Sequence, residues 1–415
     1  MIKLTVYIIF LFIFFLTSLC LPAQQDSIDA LKLAVAKTGK LKFKSDVPVK
    51  YFDKKALKNY ITDLFQKDYP DALLEKEQLY LELMGFIHKK KINLKEERKQ
   101  IFIENVGGLY NEKTGELYAI EEYRNIDYIN ALIVIHELRH AVQDQHFDLE
   151  KLLASRPASD FDDRRLSLLA AIEGDATFVM ARFGEFEAST LTSTHGADAL
   201  LSFSPTGIKS RLANTPGILK HQLIMPYIQG LNFVDYVHKR RRWHGVNKLL
   251  KNPPLSSEQV LHPAKYYKKE LPVNVKIAYR PEGYSLYFSG VIGEYYLNVL
   301  LMPLNGYRDY ALGWGGDRFE IYKNPSASYF LLWESFWDKE AFCTGFYQAF
   351  KTFVEKTFQV NFRESGKNSY DFIAGKTAVA TPTYFFISKE KNRIFYVTSN
   401  DRNQVNKFIN GGYYD

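Results

Sequence analysis

Tyr128-Ile129-Asn130-Ala131-Leu132-Ile133-Val134-Ile135-His136-Glu137-Leu138-Arg139-His140-Ala141-Val142-Gln143-Asp144-Gln145 runs without a glycine or proline, and Asp127 stands before it as an N-cap. The stretch reads as one helix. Its middle, Ala131 to Ile135, is apolar all round, which places the helix inside the protein and not on its surface. The apolar run leads directly into His136-Glu137-Leu138-Arg139-His140. Residues four apart share a helix face, so both imidazoles can reach one Zn(II) ion at about 2.0–2.1 Å. Glu137 stands beside that face, where it can take a proton from water without being a ligand. Left unpaired at a buried helix end, these polar groups would be costly.

A zinc site needs a third protein ligand, and two residues compete for the place. Glu173 lies in Ala171-Ile172-Glu173-Gly174-Asp175-Ala176, within a second helix expected from about Asp162 to Phe183. Two helices lying antiparallel would bring Glu173 to the histidines. His146 stands six residues after His140, but a helix continuing through Gln143 turns it away from the metal. We favour Glu173. Upstream, Leu109-Tyr110 and Leu117-Tyr118-Ala119-Ile120 flank Asn111-Glu112-Lys113-Thr114-Gly115, the pattern of a β-hairpin.

The histidine motif followed by Glu-Gly-Asp-Ala resembles the gluzincin group of zinc peptidases, which includes thermolysin-like and aminopeptidase N-like enzymes; the second motif is similar to the third-ligand segment of the latter. The resemblance covers roughly Gly107 to Phe183. It implies an α+β fold with a zincin-like catalytic domain, made of an edge β-hairpin, an active-site helix and a third-ligand helix, and it implies that the hairpin edge pairs with an extended peptide or protein substrate. The metal ligands would be His136, His140 and Glu173, with Glu137 as general base. The chain departs from the thermolysin-like pattern at Thr177, where those enzymes carry an Asp that orients a zinc histidine; Asp175 stands two residues from the third ligand. His140 to Leu149, Ser256 to Pro263 and Gly313 to Arg318 are also similar to uncharacterised exported bacterial proteins grouped as peptidases by their zinc motif. An oxyanion donor is expected as well, and His262, with Tyr266 behind it, is the candidate because Pro263 fixes a turn there.

The remainder sets the context. Lys3 precedes an apolar run from Leu4 to Leu16, and Leu21-Pro22-Ala23 follows, the layout of a secretory signal peptide with Ala23 as a cleavage residue. An uncleaved segment would instead be a membrane anchor, and either way the protein is expected outside the cytoplasm. Beyond Ala23 only Cys343 remains, so the mature chain has no intrachain disulfide to form. A net charge of +7, with clusters at Lys89-Lys90-Lys91 and Arg240-Arg241-Arg242, is modest for 415 residues. No nucleic-acid module accompanies it; such clusters would at most give a weak attraction to anionic lipid.

We divide the chain into a signal peptide (1–23), a mostly helical segment (24–95), a catalytic domain (96–270) and a C-terminal α+β region (271–415). In that last region Gly313-Trp314-Gly315-Gly316-Asp317 reads as a tight turn. The expected function is an exported zinc metallopeptidase. The rival class is an exported zinc-stabilised binding or assembly protein without turnover, and the presence of Glu137 argues against it.

Overall fold

The computed structural model describes residues 24–87, 92–104, 108–121, 127–192, 215–306, 308–365, 369–371, 375–376 and 382–413. The proposed signal run and the lysines at 89–91 lie outside the described residues. In chain order the elements are α1 (Gln24–Gly39), β1 (Val49–Phe52), α2 (Lys54–Asp68), α3 (Asp71–Met84), α4 (Leu94–Glu104), β2 (Gly108–Asn111), β3 (Glu116–Ile120), α5 (Tyr128–Phe147), α6 (Leu149–Ala154), α7 (Asp163–Phe183) and α8 (Ala188–Thr192). There follow α9 (Gly217–Val246), α10 (Ser257–Leu261), α11 (Pro263–Lys268), β4 (Ser285–Gly290), α12 (Gly293–Asn305), β5 (Trp314–Lys323), β6 (Tyr329–Trp337), α13 (Glu340–Phe358), β7 (Arg363–Ser365), β8 (Ser369–Asp371), β9 (Gly375–Lys376), β10 (Pro382–Glu390), β11 (Arg393–Ser399) and α14 (Arg402–Asn410). The class is α+β, with two sheets.

The expected hairpin is β2–β3, with Leu109 opposite Tyr118, and β1 adds to it in parallel, giving the order β1-β3-β2. β2 is therefore an outer strand. Beneath this sheet α5 buries Leu132, Ile135, Leu138 and Val142, packing them with Leu117 and Ala119 of β3 and Val35 of α1. The start of α5 is set locally, because the Asp127 carboxylate accepts from Asn130 N at 2.7 Å. Its end is set by Asp148, which adopts φ 56° and caps α6 by accepting from Lys151 N.

The third-ligand helix α7 begins at Asp162, whose side chain accepts from Arg164 N at 3.0 Å. Gly174 interrupts its apolar stripe for a packing reason. A Cβ there would lie 2.3 Å from the carbonyl carbon of Gly230 on α9, and a Cβ on Gly230 would lie 2.2 Å from Ala170 O. Two glycines thus let the backbones of α7 and α9 touch where any side chain would separate them.

The second sheet runs β4-β5-β6-β11-β10-β8-β7, with β9 also paired to β10. Alternation along β6 sends Leu331 and Trp333 to the α13 side, against Phe346 and Phe350, and sends Phe330 and Leu332 toward Phe408 of α14. The main core is continuous across the fold, uniting Leu83 of α3, Leu166 of α7, Leu231 of α9, Tyr296 of α12 and Trp333 of β6.

The stretch from Gly313 to Asp317 meets its expectation as a tight turn only at Gly313. Trp314 opens β5, with a bulge between Trp314 and Gly316. Gly313 does close a turn, at φ 79° with Trp314 N donating to Ala311 O at 3.0 Å, whereas Gly315 and Gly316 serve the bulge and a close approach: a Cβ on Gly316 would lie 2.5 Å from Val273 O. Asp317 instead gathers the start of α12, accepting from Ile292 N and Gly293 N at 2.9 Å each, from Trp314 Nε1 at 2.8 Å and from Trp333 Nε1 at 3.0 Å. Cys343 is buried and free. Among the described residues no helix is long and apolar enough to cross a membrane.

Candidate metal centre

Helix spacing puts the rings of His136 and His140 on one face of α5, with centroids 4.7 Å apart and planes at 84°. Their Nε2 atoms are 3.1 Å apart. Glu173 Oε2, coming from α7, lies 3.1 Å from His136 Nε2 and 3.4 Å from His140 Nε2. Two donors each about 2.05 Å from a tetrahedral ion stand about 3.3 Å apart, so this triangle has the dimensions of one face of a tetrahedral zinc shell. The donor set, two imidazoles and a carboxylate, also suits zinc. His146, the rival ligand, is elsewhere: its Nε2 meets Lys42 O at 2.9 Å.

The local charges follow from that crowding. Burial opposes a charge on His140, yet the adjacent Glu173 carboxylate outweighs it and lifts the imidazole to about 9. Burial likewise works against ionised Glu173, but His140 and His136 hold it well below the usual carboxylate range. Glu137 is raised above its ordinary value, chiefly by burial, with His140, His136 and the backbone of Tyr110 pulling the other way. Its Oε2 accepts from Tyr110 N at 2.8 Å, so the outer strand β2 fixes the direction of the base.

Thr177 is buried, and among the described residues its hydroxyl has no hydrogen-bond partner; the contact that orients a histidine comes from elsewhere. Gln143 Oε1 stands 2.9 Å from His140 Nδ1, and Gln143 Nε2 donates to Asp175 Oδ2 at 2.9 Å and to Ile172 O at 3.0 Å. With its amide so held, Gln143 presents its oxygen to the ring and keeps a hydrogen on Nδ1, which would leave Nε2 as the nitrogen free to give up its proton and ligate a metal. Asp175 is fixed in turn by fully buried Arg139, whose Nε and Nη2 donate to it at 2.9 and 3.0 Å, while Nη2 also reaches Asn247 Oδ1 at 2.8 Å. The Asp two residues beyond Glu173 therefore does reach the site, through a glutamine.

Tyr227 of α9 completes the arrangement, and no motif in the sequence marks it. Its ring stacks on His136, with centroids 5.8 Å apart and planes at 24°. Burial of the hydroxyl, then the charges of Glu173 and Glu137, push the phenol well above its ordinary range, although 38% of the residue remains open to solvent. It sits three residues before Gly230, so the Gly174–Gly230 contact that seats α9 on α7 also sets Tyr227 beside Glu173. That crossing was the available signal, and it exists only in three dimensions.

His262 is placed differently from the triad. Its Nε2 pairs with Glu294 Oε1 of α12 at 2.8 Å, and Tyr266 donates to Asn252 O at 2.8 Å. Among the described residues no hydrogen bond, ion pair or ring contact joins His262 to His136, His140 or Glu173. A second acidic group, Glu258, Glu270 and Asp338, converges on a resident cation: Lys265 Nζ lies 2.6, 2.6 and 2.8 Å from them. It is an internal ion-pair cluster.

Residues 286–408 match a family model described as Domain of unknown function (DUF8575). No curated protein matches the chain. Among solved structures, the chain is similar to "a putative hydrolase with a novel fold from Chloroflexus aurantiacus", at 17% identity and a TM-score of 0.39, over 59% of this chain and 88% of the other.

Proposed function

We propose that the protein is a zinc-dependent metallopeptidase, exported through the run that ends near Ala23. The observation that carries this reading is the triangle of His136 Nε2, His140 Nε2 and Glu173 Oε2, sized for one ion, with Glu137 beside it and not part of it. A structural zinc site would have no use for such a base.

When bound, a zinc ion would polarise the scissile carbonyl and lower the pKa of a water. The remaining work belongs to the chain. Glu137, steered by the Tyr110 N–H, takes the proton of the attacking water and delivers it to the leaving amine. Raised by burial, its carboxyl is closer to neutral than an exposed Glu, which suits a group that must accept and then release a proton. Tyr227 keeps its O–H at neutral pH and donates it to the oxygen on which negative charge develops, the role the sequence suggested for His262. The outer edge of β2, where Tyr110 N already holds Glu137, offers its remaining backbone groups to an extended substrate.

The test combines metal analysis of the purified mature chain with hydrolysis of denatured proteins and a peptide panel, in wild type and Glu137→Gln. One bound zinc per chain, cleavage by the wild type and its loss in the variant support the reading. Zinc without any cleavage would favour the binding-protein alternative. N-terminal mass analysis of the extracytoplasmic protein should find a chain beginning near Gln24; an intact first segment would make it an anchor.

A further inference from the structure

On the far end of the active-site helix, the C-termini of α1, α5 and α9 converge around a cavity of 470 Å³. Lys40, Lys44, Lys248 and Lys251 line it, and no carboxylate does. None of the four lysines has an ion pair among the described residues. Lysines in other crevices of the fold do have acidic neighbours: Lys32 meets Asp46, Lys113 meets Asp68, and Lys265 has three carboxylates. Trp243 and Phe147 provide an aromatic wall, and His146 and His244 stand at the same rim.

The simplest account of lysines at helix ends is that they offset the carbonyl dipoles. Each C-terminus carries about −0.5 of a charge, so the three ends together bring about −1.5. Four ammonium groups exceed that by more than two charges before either histidine is considered. The excess lies in a concavity, where low-dielectric walls concentrate the field. The walls are also fixed in advance. Asn247 donates to Gly39 O and Lys40 O at 3.0 Å each, while its Oδ1 holds buried Arg139; Gln145 accepts from Lys44 N at 2.7 Å and donates to Ser45 O at 3.1 Å. Lys40 takes the left-handed conformation, at φ 51°, that often follows the last residue of a helix.

We propose that this cavity is a binding site for a phosphate-bearing anion with more than one negative charge, recognised by Lys40, Lys44, Lys248 and Lys251, with the aromatic wall taking an apolar or ring portion of the same molecule. Ammonium groups on flexible stems are suited to phosphate as point charges. The volume admits a small organophosphate or a single lipid headgroup. The site is separate from the metal centre, and its existence does not depend on the peptidase reading.

Inorganic pyrophosphate, titrated calorimetrically into the full mature chain at about 0.15 M salt, is the probe for the free ligand. Vesicles of phosphatidylcholine with phosphatidic acid are the probe for a headgroup. Saturable pyrophosphate binding with a dissociation constant below about 1 mM is expected, weakened about tenfold or more in Lys248→Ala/Lys251→Ala. Both residues are exposed, so the fold tolerates the change. Binding at the metal centre would be indifferent to this pair, which separates the two sites. The control is Lys58→Ala/Lys67→Ala, which removes the same charge from the exposed face of α2. Equal weakening in the control, unaltered binding in the cavity variant, or no saturation up to about 10 mM would overturn the proposal. If pyrophosphate binds and charged vesicles do not, the ligand is a free organophosphate; cavity-dependent binding to both assigns the site to headgroups.

Discussion

Replacing Gly174 with alanine sets two effects of known size against each other. In an exposed helix interior the change would stabilise by about 1 kcal/mol, because alanine is the better helix former. Here the new Cβ would sit 2.3 Å from the Gly230 carbonyl carbon, where ordinary contact begins at 3.4 Å, so roughly 1.1 Å of separation must be found. The obstructing atoms are backbone and cannot rotate aside. Overpacking of this kind costs about 1–3 kcal/mol; facing a helix backbone it should fall near the upper end, leaving a net loss of about 1–2 kcal/mol and a fall in Tm of a few degrees. The functional effect should be larger. If α9 yields by about 1 Å, Tyr227 withdraws from His136 and Glu173, and a misplacement of that size can lower turnover about 10²-fold. Thermal melts, zinc content and kcat on a cleaved peptide would measure the three consequences together. We expect a modest loss of stability, retained zinc and a large loss of kcat. An unchanged or raised Tm with unchanged kcat would refute the argument that the glycine pair seats the tyrosine. Gly230→Ala, whose Cβ would meet Ala170 O at 2.2 Å, should behave alike.

Three further outcomes follow from the site and its surroundings. Glu137→Gln preserves shape and the contact from Tyr110 N, so zinc content should survive while hydrolysis drops by about 10²–10⁴-fold, read from kcat on the same substrate. Gln143→Leu removes the acceptor for His140 Nδ1 and leaves Asp175 with one donor fewer; zinc affinity, measured by competition with a chelator, should weaken about 10–100-fold with the ligands intact. Burial lifts Glu258 to about 7 despite its contact with Lys265. A carboxyl whose folded pKa is raised favours folding in its protonated form, so that contribution is complete below the ordinary value of 4.5 and disappears as pH rises through about 7. Relative to Glu258→Gln, wild type should therefore lose up to about 3 kcal/mol between pH 4.5 and 7.5, seen as converging or crossing Tm profiles; parallel profiles would contradict it.

What the sequence determined by itself is what short-range rules govern. Asp127 and Asp162 announce two helices, the His-x-x-x-His interval fixes one helix face, and alternation around Gly115 gives the hairpin; each depends on residues within a few positions of one another. The same locality extended the turn at Gly313 on to Asp317, since a glycine needed for a bulge and for the approach of Val273 looks the same in one dimension as a glycine needed to reverse the chain. Tertiary structure alone decided which distant groups share a volume. It brought Glu173 to the imidazoles while His146 turned to Lys42, routed Asp175 to His140 through Gln143, and seated Tyr227 on His136 by the contact of two glycines far apart in the chain. These outcomes depend on how α5, α7 and α9 cross, and the crossing is set by the summed packing of a core that no local window of sequence contains.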